Sequence, residues 1–448
     1  MSAVAHPDLR ERFTAAMHAV DECARPGEVT TGWLRAEVSD FVRFNHGQVR
    51  QAGTVDKAAI ELRLIRDARQ ASLLLTLSGI AADDVARIAA AFAQLRLLVG
   101  QSEPDPYLAL SDRPTQARTV LPGDLPDARE VGDTVCSAAG DADLVGFYAG
   151  GPLACGFFSS LGHDLWHESR PWFFDYCVYT AGDKAVKATV ADAGWQPARV
   201  GASVARARRE AAILHRPLKV LAPGAYRAYL SPAALAEIAG MMNWGGFSAS
   251  AQMSGHSPLA RLKSGQERFS PMVSLTDDLA AVGVPRFQSD GFERPERLDL
   301  VRDGGFANAL VSPRSAREFA LADTGATVHE TAEALCMAGG DLDEQQALQR
   351  LGTGVSVSNF WYLNWSDRSA ARLTGMTRFA TLWVEDGEPV APLAVMRFDD
   401  SLFRMLGGAL EGLTRSVERI PDTQTYENRS FGSAMAPGAL LSALDFTL

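Results

Sequence analysis

This sequence has few cysteines, no long apolar run and no surplus of basic residues. Its five cysteines are scattered and form no C-x-x-C pair, which favours reduced thiols in a cytoplasmic protein over a disulfide framework. No apolar run reaches the roughly 18 residues that a membrane-spanning helix needs. The first eleven residues carry charges and lack the apolar core of a signal peptide. We therefore expect a cytoplasmic protein with no membrane partner.

The charge balance bears on the class of partner. The formal net charge is −11, whereas contacts to nucleic-acid phosphates need clustered lysine and arginine. We therefore expect no nucleic-acid partner. The sequence also lacks a G-x-x-x-x-G-K-[ST] phosphate loop and a G-x-S-x-G nucleophile turn, the signatures of two common enzyme classes.

The first half of the chain alternates between helical and strand-like patterns. Segment 7–24 has apolar residues at helical spacing, and segment 81–99 is alanine-rich with Asp83 and Asp84 in its first turn. Segments 34–52 and 59–78 each read as a pair of strands. Segment 101–126 is rich in proline and is expected to be a loop. We predict an α+β domain over residues 1–217, with a sheet packed against helices.

The second half opens with a strand at 226–230 and a helix at 232–242, because Ser231-Pro232 is a helix start with proline at the first helical position. Segment 243–288 is expected to be irregular, and strands and hairpins dominate from residue 297 onward. We predict a second domain over residues 218–448, built mainly of antiparallel strands.

Segment 355–398 combines strong strand signals with a polar island. Strands are predicted at 355–365, 377–385 and 389–398, and Asp386-Gly387 supplies a hairpin turn. Aromatic and polar side chains of this segment could bind an extended peptide that adds as a strand to an open sheet edge. The candidate substrate-binding residues are Phe360, Tyr362, Asn364, Asp367, Arg368 and Arg378. The alternative is that the aromatic residues belong to the core and the polar residues close turns.

Several motifs resemble those of one protein family. In the C-terminal half they are Phe360-Trp361-Tyr362, the Thr-Gly-x-Thr-Arg of 374–378, the V-E-x-G-E of 384–388 and Met396-Arg397-Phe398. Further matches lie at 41–51, 287–291, 300–305 and 310–317. In order and spacing these segments resemble the TldD/PmbA family, whose members are also called modulators of DNA gyrase. The resemblance covers most of the chain and implies the two-domain α+β fold of that family.

The resemblance also implies a zinc site on the helix at 232–242. In metal-bearing members an H-E-x-x-G-H segment presents two histidines to zinc, its glutamate is the general base, and a cysteine near the C-terminus is the third ligand. Here Glu237 and Gly240 are retained, but Ala236 and Met241 stand at the histidine positions. The corresponding tail, 429–433, contains no cysteine. The site is therefore expected to be vestigial, with no catalytic residue and no metal in this chain. In that case Ala236 and Met241 are core residues and Glu237 is a solvated charge.

Two other segments carry residues that bind metals. His163 and His167 are four residues apart, but the neighbouring glycine, tryptophan and proline favour a loop or strand over a helix. With Cys155 and Cys177 on either side, they are the alternative metal site. Segment 329–333, H-E-T-A-E, resembles a zinc-binding helix whose second histidine is a glutamate, and we interpret it as a solvated helix turn.

The resemblance, combined with the missing ligands, implies the metal-free, TldE-type subunit of a TldD/TldE metallopeptidase complex. Zinc is then expected in a TldD-like partner. The substrates would be unstructured peptides or peptide precursors, and this chain would supply interface and channel surface. Two alternatives remain open. One is a stand-alone homodimeric enzyme of a biosynthetic pathway, with a relocated metal or non-proteolytic chemistry. The other is a non-catalytic scaffold or binding protein.

Overall fold

The computed structural model describes residues 8–180, 184–192 and 194–447. Ten α-helices lie within these ranges: α1 (Leu9–Asp21), α2 (Ala81–Gln101), α3 (Ala128–Ala139), α4 (Pro197–Leu214), α5 (Pro232–Asn243), α6 (Ala249–Met253), α7 (Ala260–Lys263), α8 (Leu279–Val282), α9 (Pro313–Phe319) and α10 (Ala347–Leu351). A 3-10 turn at Glu344–Gln346 precedes α10, and a π-helical turn spans Arg404–Gly408.

The described strands form two sheets. The first contains β1 (Val29–Asn45), β2 (Gln48–Arg66), β3 (Arg69–Leu77), β4 (Gln116–Val120), β5 (Asp143–Gly150), β6 (Leu153–Ser159), β7 (Asp164–Ser169), β8 (Trp172–Tyr179) and β9 (Ala185–Asp192). The second contains β10 (Gly224–Leu230), β11 (Leu275–Asp278), β12 (Arg297–Arg302), β13 (Gly305–Phe306), β14 (Leu335–Met337), β15 (Gly354–Val357), β16 (Trp361–Asp367), β17 (Arg372–Met376), β18 (Thr381–Glu385), β19 (Glu388–Pro392), β20 (Arg397–Ser401), β21 (Leu410–Pro421) and β22 (Ser433–Phe446).

The first sheet is organised around β1. Along one edge β1 pairs with β2, and along the other it pairs first with β6 and then with β5, always antiparallel. The β1–β2 turn places His46 and Gly47 at positive φ, as a tight hairpin requires. Helices α1 and α2 bury their apolar faces against one part of the sheet, and α3 and α4 against another. The predicted α+β architecture is confirmed.

The second sheet is organised around β22, which pairs with β10, β14, β20 and β21. Helix α5 packs on this strand, and its apolar residues belong to the largest buried cluster of the protein. Most pairings in this sheet are antiparallel, but β10 runs parallel to β15 and β14 parallel to β22. The order β10–α5 places the start of the helix beside the end of β15, since the backbone N–H of Ser231 donates to the carbonyl of Val357.

The two sheets contact each other directly. Ala380 and Leu382 of the second sheet share a buried cluster with α3, α4 and their strands. Arg429 reaches from the tail into the first sheet, where it donates to Ser39 Oγ at 2.8 Å and lies 3.5 Å from the Glu37 carboxylate. The cavity described below lies along this contact. The predicted boundary at residues 217/218 falls between α4 and β10 and stays a prediction.

Some predicted elements differ from the structure. Segment 355–365 is two strands, because two backbone groups leave the ladder to bond with α5. The Ser358 carbonyl accepts from Ser231 at the start of the helix, and the Phe360 N–H donates to Glu237 in its middle. Segment 389–398 is also divided, into the end of β19 and the start of β20, which pairs elsewhere in the sheet. The proline-rich segment 101–126 contains β4, and segment 243–288 contains three short helices and β11. Within the described residues, no helix combines the length and apolar character that crossing a membrane requires.

Candidate functional site

The junction between β10 and α5 is fixed by local capping. The Ser231 hydroxyl accepts from the Ala234 N–H at 3.2 Å and donates to the Ser358 carbonyl at 2.5 Å. Pro232 follows at the first helical turn, where its missing N–H leaves no bond unmade. Glu237 is the single charged residue of this helix, and it therefore must find polar partners within the fold.

Glu237 is a partly buried acid. It accepts the Phe360 backbone N–H at 2.6 Å. Burial raises the pKa of Glu237 to about 7, although the bond from Phe360, the charge of Lys187 and a bond from Asn359 all oppose the shift. The expectation of a solvated charge is wrong, because Glu237 is partly buried beside a cavity that residues of both sheets line. A carboxyl group with this pKa can both give and take a proton near neutral pH.

The cavity beside Glu237 has a volume of about 480 Å³. Its walls come from β9 and α4 on one side and from β10, α5, β15 and β21 on the other. Its polar lining includes Lys187, Thr189, Arg206, Glu210, Tyr229, Glu237, Glu344, Ser358, Asn359 and Glu418. A volume of this size suits a small organic ligand or a few residues of a peptide.

Burial raises the pKa of several acids that line the cavity. Burial raises the pKa of Glu210 and of Glu418, and the nearby Arg206 charge opposes both shifts. Burial also raises the pKa of Tyr229. With Arg206 and Lys187 on the same walls, the cavity offers both charge signs and several proton donors to a bound group. Sequence reasoning missed this cavity because its residues come from separate segments spread between positions 186 and 423. The available signal was the lone charge within α5.

The predicted peptide-binding segment is partly surface and partly core. Tyr362 is 76% exposed at φ +60°, and Arg378 lies over the ring of the exposed Trp361, with Cζ 4.6 Å from the ring centroid. Phe360 is instead buried against Phe398, so its side chain does not reach this surface. Arg368 donates to the carbonyl of Trp244 after α5 and to the carbonyl of His256 after α6.

The strand that carries this surface lies at a sheet edge. Among the described strands, β16 pairs with β17 only, so its other edge is open to an added strand. The exposed residues along it include Tyr362, Asn364 and Asp367. Their role in binding a peptide stays a prediction.

A family model describes the second half of this chain. The model, described as the PmbA/TldA metallopeptidase C-terminal domain, matches residues 223–448, which is half of the sequence. The chain belongs to the TldD/PmbA family. The predicted family membership is confirmed.

Individual relatives agree with this assignment. The chain is 29% identical over 156 residues to the metalloprotease PmbA of Escherichia coli O157:H7, a match that spans 34% of this chain and 31% of that protein. Two solved structures share the whole fold. A protein of Thermotoga maritima described as a modulator of DNA gyrase has a TM-score of 0.75 at 15% identity, over 98% of this chain and 100% of that one. TldE of Thermococcus kodakarensis has a TM-score of 0.76 at 13% identity, over 97% and 100%.

The positions that the family resemblance assigns to zinc ligands do not fit a zinc ion. Ala236 has only a methyl group and is 6% exposed, and Met241, a thioether, is 8% exposed. Both side chains belong to the packed interior, whereas Gly240 is exposed. In the tail, the buried guanidinium of Arg429 donates to Ser39 Oγ and to the Gly151 carbonyl. The core interpretation of Ala236 and Met241 agrees with their burial.

The alternative metal pair of the TldD/PmbA chain lies on β7 and just before it. His163 is buried with its ring nitrogens at hydrogen-bond distance from two hydroxyls, Nδ1 to Ser159 Oγ at 2.7 Å and Nε2 to Ser111 Oγ at 3.0 Å. His167 Nε2 lies 3.1 Å from the Gly283 carbonyl, and burial lowers its pKa to about 4. The local strand agrees with the sequence interpretation of a loop or strand. In the part of the chain that the structure describes, no group of three or more His, Cys, Asp or Glu residues could hold a metal ion.

Segment 329–333 is not a solvated helix turn. Glu330 is buried at positive φ and accepts from Ser248 Oγ, the Ser250 N–H and the Ser312 N–H at 2.6 to 2.9 Å. Burial raises the pKa of Glu330, but these bonds outweigh burial and hold it below the ordinary value. Glu330 therefore links segments around the second sheet through hydrogen bonds, and its role is structural.

Proposed function

We propose that this chain is the metal-free subunit of a TldD/TldE-type metallopeptidase complex of the cytoplasm, acting on unstructured peptides or peptide precursors. One observation carries the proposal: the helix that matches the family's zinc-binding helix presents Ala236 and Met241 where ligands would stand. The likeness in fold to TldE of Thermococcus kodakarensis supports it. Zinc and hydrolysis would come from a TldD-like partner.

In this proposal the chain contributes a peptide-binding surface to the complex. The open edge of β16 provides backbone N–H and C=O groups for an extended peptide, and Trp361, Tyr362 and Arg378 provide side chains beside it. Recognition through backbone groups suits unstructured substrates, since a folded protein has few free strands to offer. This arrangement would lead a peptide along the chain towards the partner's metal.

Reconstitution tests the proposed role. The chain, a TldD-like protein with an intact H-E-x-x-x-H helix, and a mixture of both are assayed for cleavage of an unstructured fluorogenic peptide. We expect no cleavage by this chain alone and cleavage by the mixture that exceeds the partner's own. Cleavage by this chain alone, or failure of the two chains to co-elute on a sizing column, would contradict the proposal.

A matched pair of variants tests the peptide surface in the same assay. Tyr362→Ala removes an exposed ring from the open edge, and Tyr179→Ala removes an exposed ring at the end of β8 in the other sheet. We expect Tyr362→Ala to raise the KM for peptide about tenfold, in line with the loss of an aromatic contact residue. Tyr179→Ala should leave the KM unchanged. Equal KM values for the two variants would show that the β16 edge does not bind the peptide.

One observation favours a second candidate, a stand-alone homodimeric enzyme with non-proteolytic chemistry. The pKa of Glu237 is about 7 in a cavity of about 480 Å³, as a general acid or base requires. For this candidate the purified chain would bind a small molecule in that cavity, and Glu237→Gln would abolish turnover while retaining binding. If Glu237→Gln retained full activity, the subunit role would be the better account.

A further inference from the structure

Tyr229 is a polar residue of the cavity beside Glu237 that the chemistry described above does not use. It lies on β10, where its neighbours Ala228 and Leu230 belong to the largest buried cluster of the protein. Successive side chains of a strand point to opposite faces, so Tyr229 points away from that cluster. Its ring shares a separate buried cluster with Ala347 of α10, and the residue lines the cavity of about 480 Å³.

The hydroxyl of Tyr229 has a position made for it but no partner. A Cβ at Gly438 of β22 would stand 2.3 Å from this oxygen, so any larger residue there would displace the hydroxyl. Tyr229 is 9% exposed, and no described residue bonds with its hydroxyl. The oxygen keeps accessible surface, since it is not one of the unbonded polar atoms that the fold encloses completely. Buried polar groups are nearly always bonded, so a hydroxyl of this kind in a cavity wall indicates a ligand.

Two carboxylates lie near this hydroxyl. Burial raises the pKa of Tyr229, and the charges of Glu344 and Glu418 add to the rise, so both acids are its neighbours. Glu344 lies at the mouth of the cavity and accepts from Ser416 Oγ at 2.7 Å. The side chain of Glu418 is half-buried and bonds with no described residue. Burial raises the pKa of Glu418, and the charge of Arg206 opposes that rise without cancelling it.

Negative charge is in excess along the walls of the whole cavity. The acids are Glu210, Glu237, Glu344, Glu418 and Asp422, and the bases are Lys187 and Arg206. Within the described ranges none of these side chains forms an ion pair with another residue. Burial raises the pKa of Glu237 more than the charge of Lys187 lowers it, and the pKa of Glu210 stays raised beside Arg206. The cavity therefore favours a ligand of positive charge, which the buried acids would stabilise.

The cation that fits this cavity is organic. Over the part of the chain that the structure describes, no set of three or more His, Cys, Asp or Glu side chains is arranged to hold a metal ion. An ammonium group carries three N–H donors and no acceptor, and the oxygens of Tyr229, Glu344 and Glu418 supply three acceptors for it. Leu348 and Leu382 add apolar surface to the same walls, on which the carbon part of a ligand can pack.

We propose that the part of the cavity around Tyr229 binds the ammonium group of an organic amine, with the Tyr229 hydroxyl and the carboxylates of Glu344 and Glu418 as its acceptors. The ammonium group belongs either to a small amine or to a peptide, since both present the same group. The proposal names the ligand class of the cavity that the second candidate function uses, and it rests on that candidate only for the fate of the bound ligand. It requires no TldD-like partner.

The test is a binding titration of the full chain by isothermal calorimetry with four probes, at a pH of about 7, where the amines are largely protonated. Benzylamine is compared with benzyl alcohol, which has nearly the same shape and no charge. The amidated tripeptide Phe-Ala-Ala with a free N-terminus is compared with the same peptide acetylated at its N-terminus. We expect the amine of each pair to bind at least about tenfold more tightly than its neutral counterpart, because charged donors make the stronger hydrogen bonds.

The two amines distinguish the two sources of the ammonium group. If the free tripeptide binds more tightly than benzylamine, the site takes the amino group of a peptide. If benzylamine binds and the free tripeptide does not, the site takes small amines.

Two pairs of variants locate the binding. Tyr229→Phe removes only the free hydroxyl, and its control is Tyr226→Phe on the same strand, whose hydroxyl bonds with the Ala222 carbonyl and lies outside the cavity. Glu418→Gln removes one charge, and its control is Glu411→Gln, an exposed residue of the same strand β21. We expect Tyr229→Phe and Glu418→Gln each to weaken benzylamine at least about tenfold, and both controls to leave it unchanged. If one of these two variants does not fold, the other decides.

Three results would overturn the proposal. The first is the absence of heat with both amines. The second is equal affinity for benzylamine and benzyl alcohol, which would show that the charge is not recognised. The third is a folded Tyr229→Phe or Glu418→Gln variant that binds benzylamine as tightly as the unmodified chain. Binding is measured without turnover, so a lack of enzymatic activity would contradict the second candidate function and leave amine binding as it stands.

Discussion

Replacing Glu237 with glutamine should remove a pH-dependent loss of stability. The carboxyl is partly buried on α5 and accepts the Phe360 N–H. Glutamine has the same shape and keeps a carbonyl oxygen for that bond, but it cannot ionise. The variant therefore isolates the free energy of charging this one group inside the fold.

The pKa shift sets the magnitude. Burial raises the pKa of Glu237 from 4.5 to about 7, so the folded chain retains a proton that the unfolded chain has already lost. Stability from this group is full below a pH of about 4.5 and is lost as the pH rises through about 7. At about 1.4 kcal/mol per pKa unit, the loss is about 3 kcal/mol at a pH of about 8, and under about 1 kcal/mol at a pH of about 5.

Urea denaturation of both proteins at these two pH values is the assay. Between the lower and the higher pH, Glu237→Gln should gain about 2 to 3 kcal/mol in unfolding free energy relative to the unmodified chain. Glu388→Gln on the exposed strand β19 is the matched control and should gain nothing. Parallel pH profiles for Glu237→Gln and the unmodified chain would refute the reasoning.

Three further predictions concern the stability of the fold, and the second of them compares two glycines. Arg429→Met should destabilise the fold by about 2 to 3 kcal/mol in urea, because Ser39 Oγ and the carbonyls of Pro171 and Gly151 lose a charged donor while Lys57 still pairs with Glu37, and an undisturbed midpoint would contradict this. Gly27→Ala should cost about 1 kcal/mol, since only its φ of +80° opposes a side chain. Gly304→Ala should cost at least about twice as much, because its Cβ would stand 2.2 Å from a carbonyl oxygen, and equal losses would contradict this. His167 should stay neutral in NMR titrations until the pH approaches about 4, because burial lowers its pKa. The stability that this group contributes is lost as the pH falls from 6.5 through about 4. Titration of His167 near pH 6.5 would contradict this prediction.

The elements best predicted from sequence are those with local signals. Ser231-Pro232 predicts the start of α5, and the hairpin turn at Asp386-Gly387 is present, with both residues at positive φ. Breaks within strands were not predictable in this way. The strand pattern of 355–365 continues through the break after β15, and the bonds that cause the break come from α5, which lies more than a hundred residues earlier.

The candidate site shows the same division. The vestigial character of α5 follows from residue types at given positions, which a sequence displays directly. The environment of Glu237 depends on Lys187 of β9, which only the contact between the two sheets brings near it, and on Asn359, which follows β15. No local sequence pattern predicts which distant residues come into contact.

The zinc content of this chain tests the central claim most directly. Elemental analysis is made on the chain purified alone and on the chain purified with a TldD-like partner. The account predicts no zinc in the chain alone and about one zinc for each heteromeric pair. Stoichiometric zinc in the lone chain would contradict the account, because Ala236 and Met241 leave α5 without ligands.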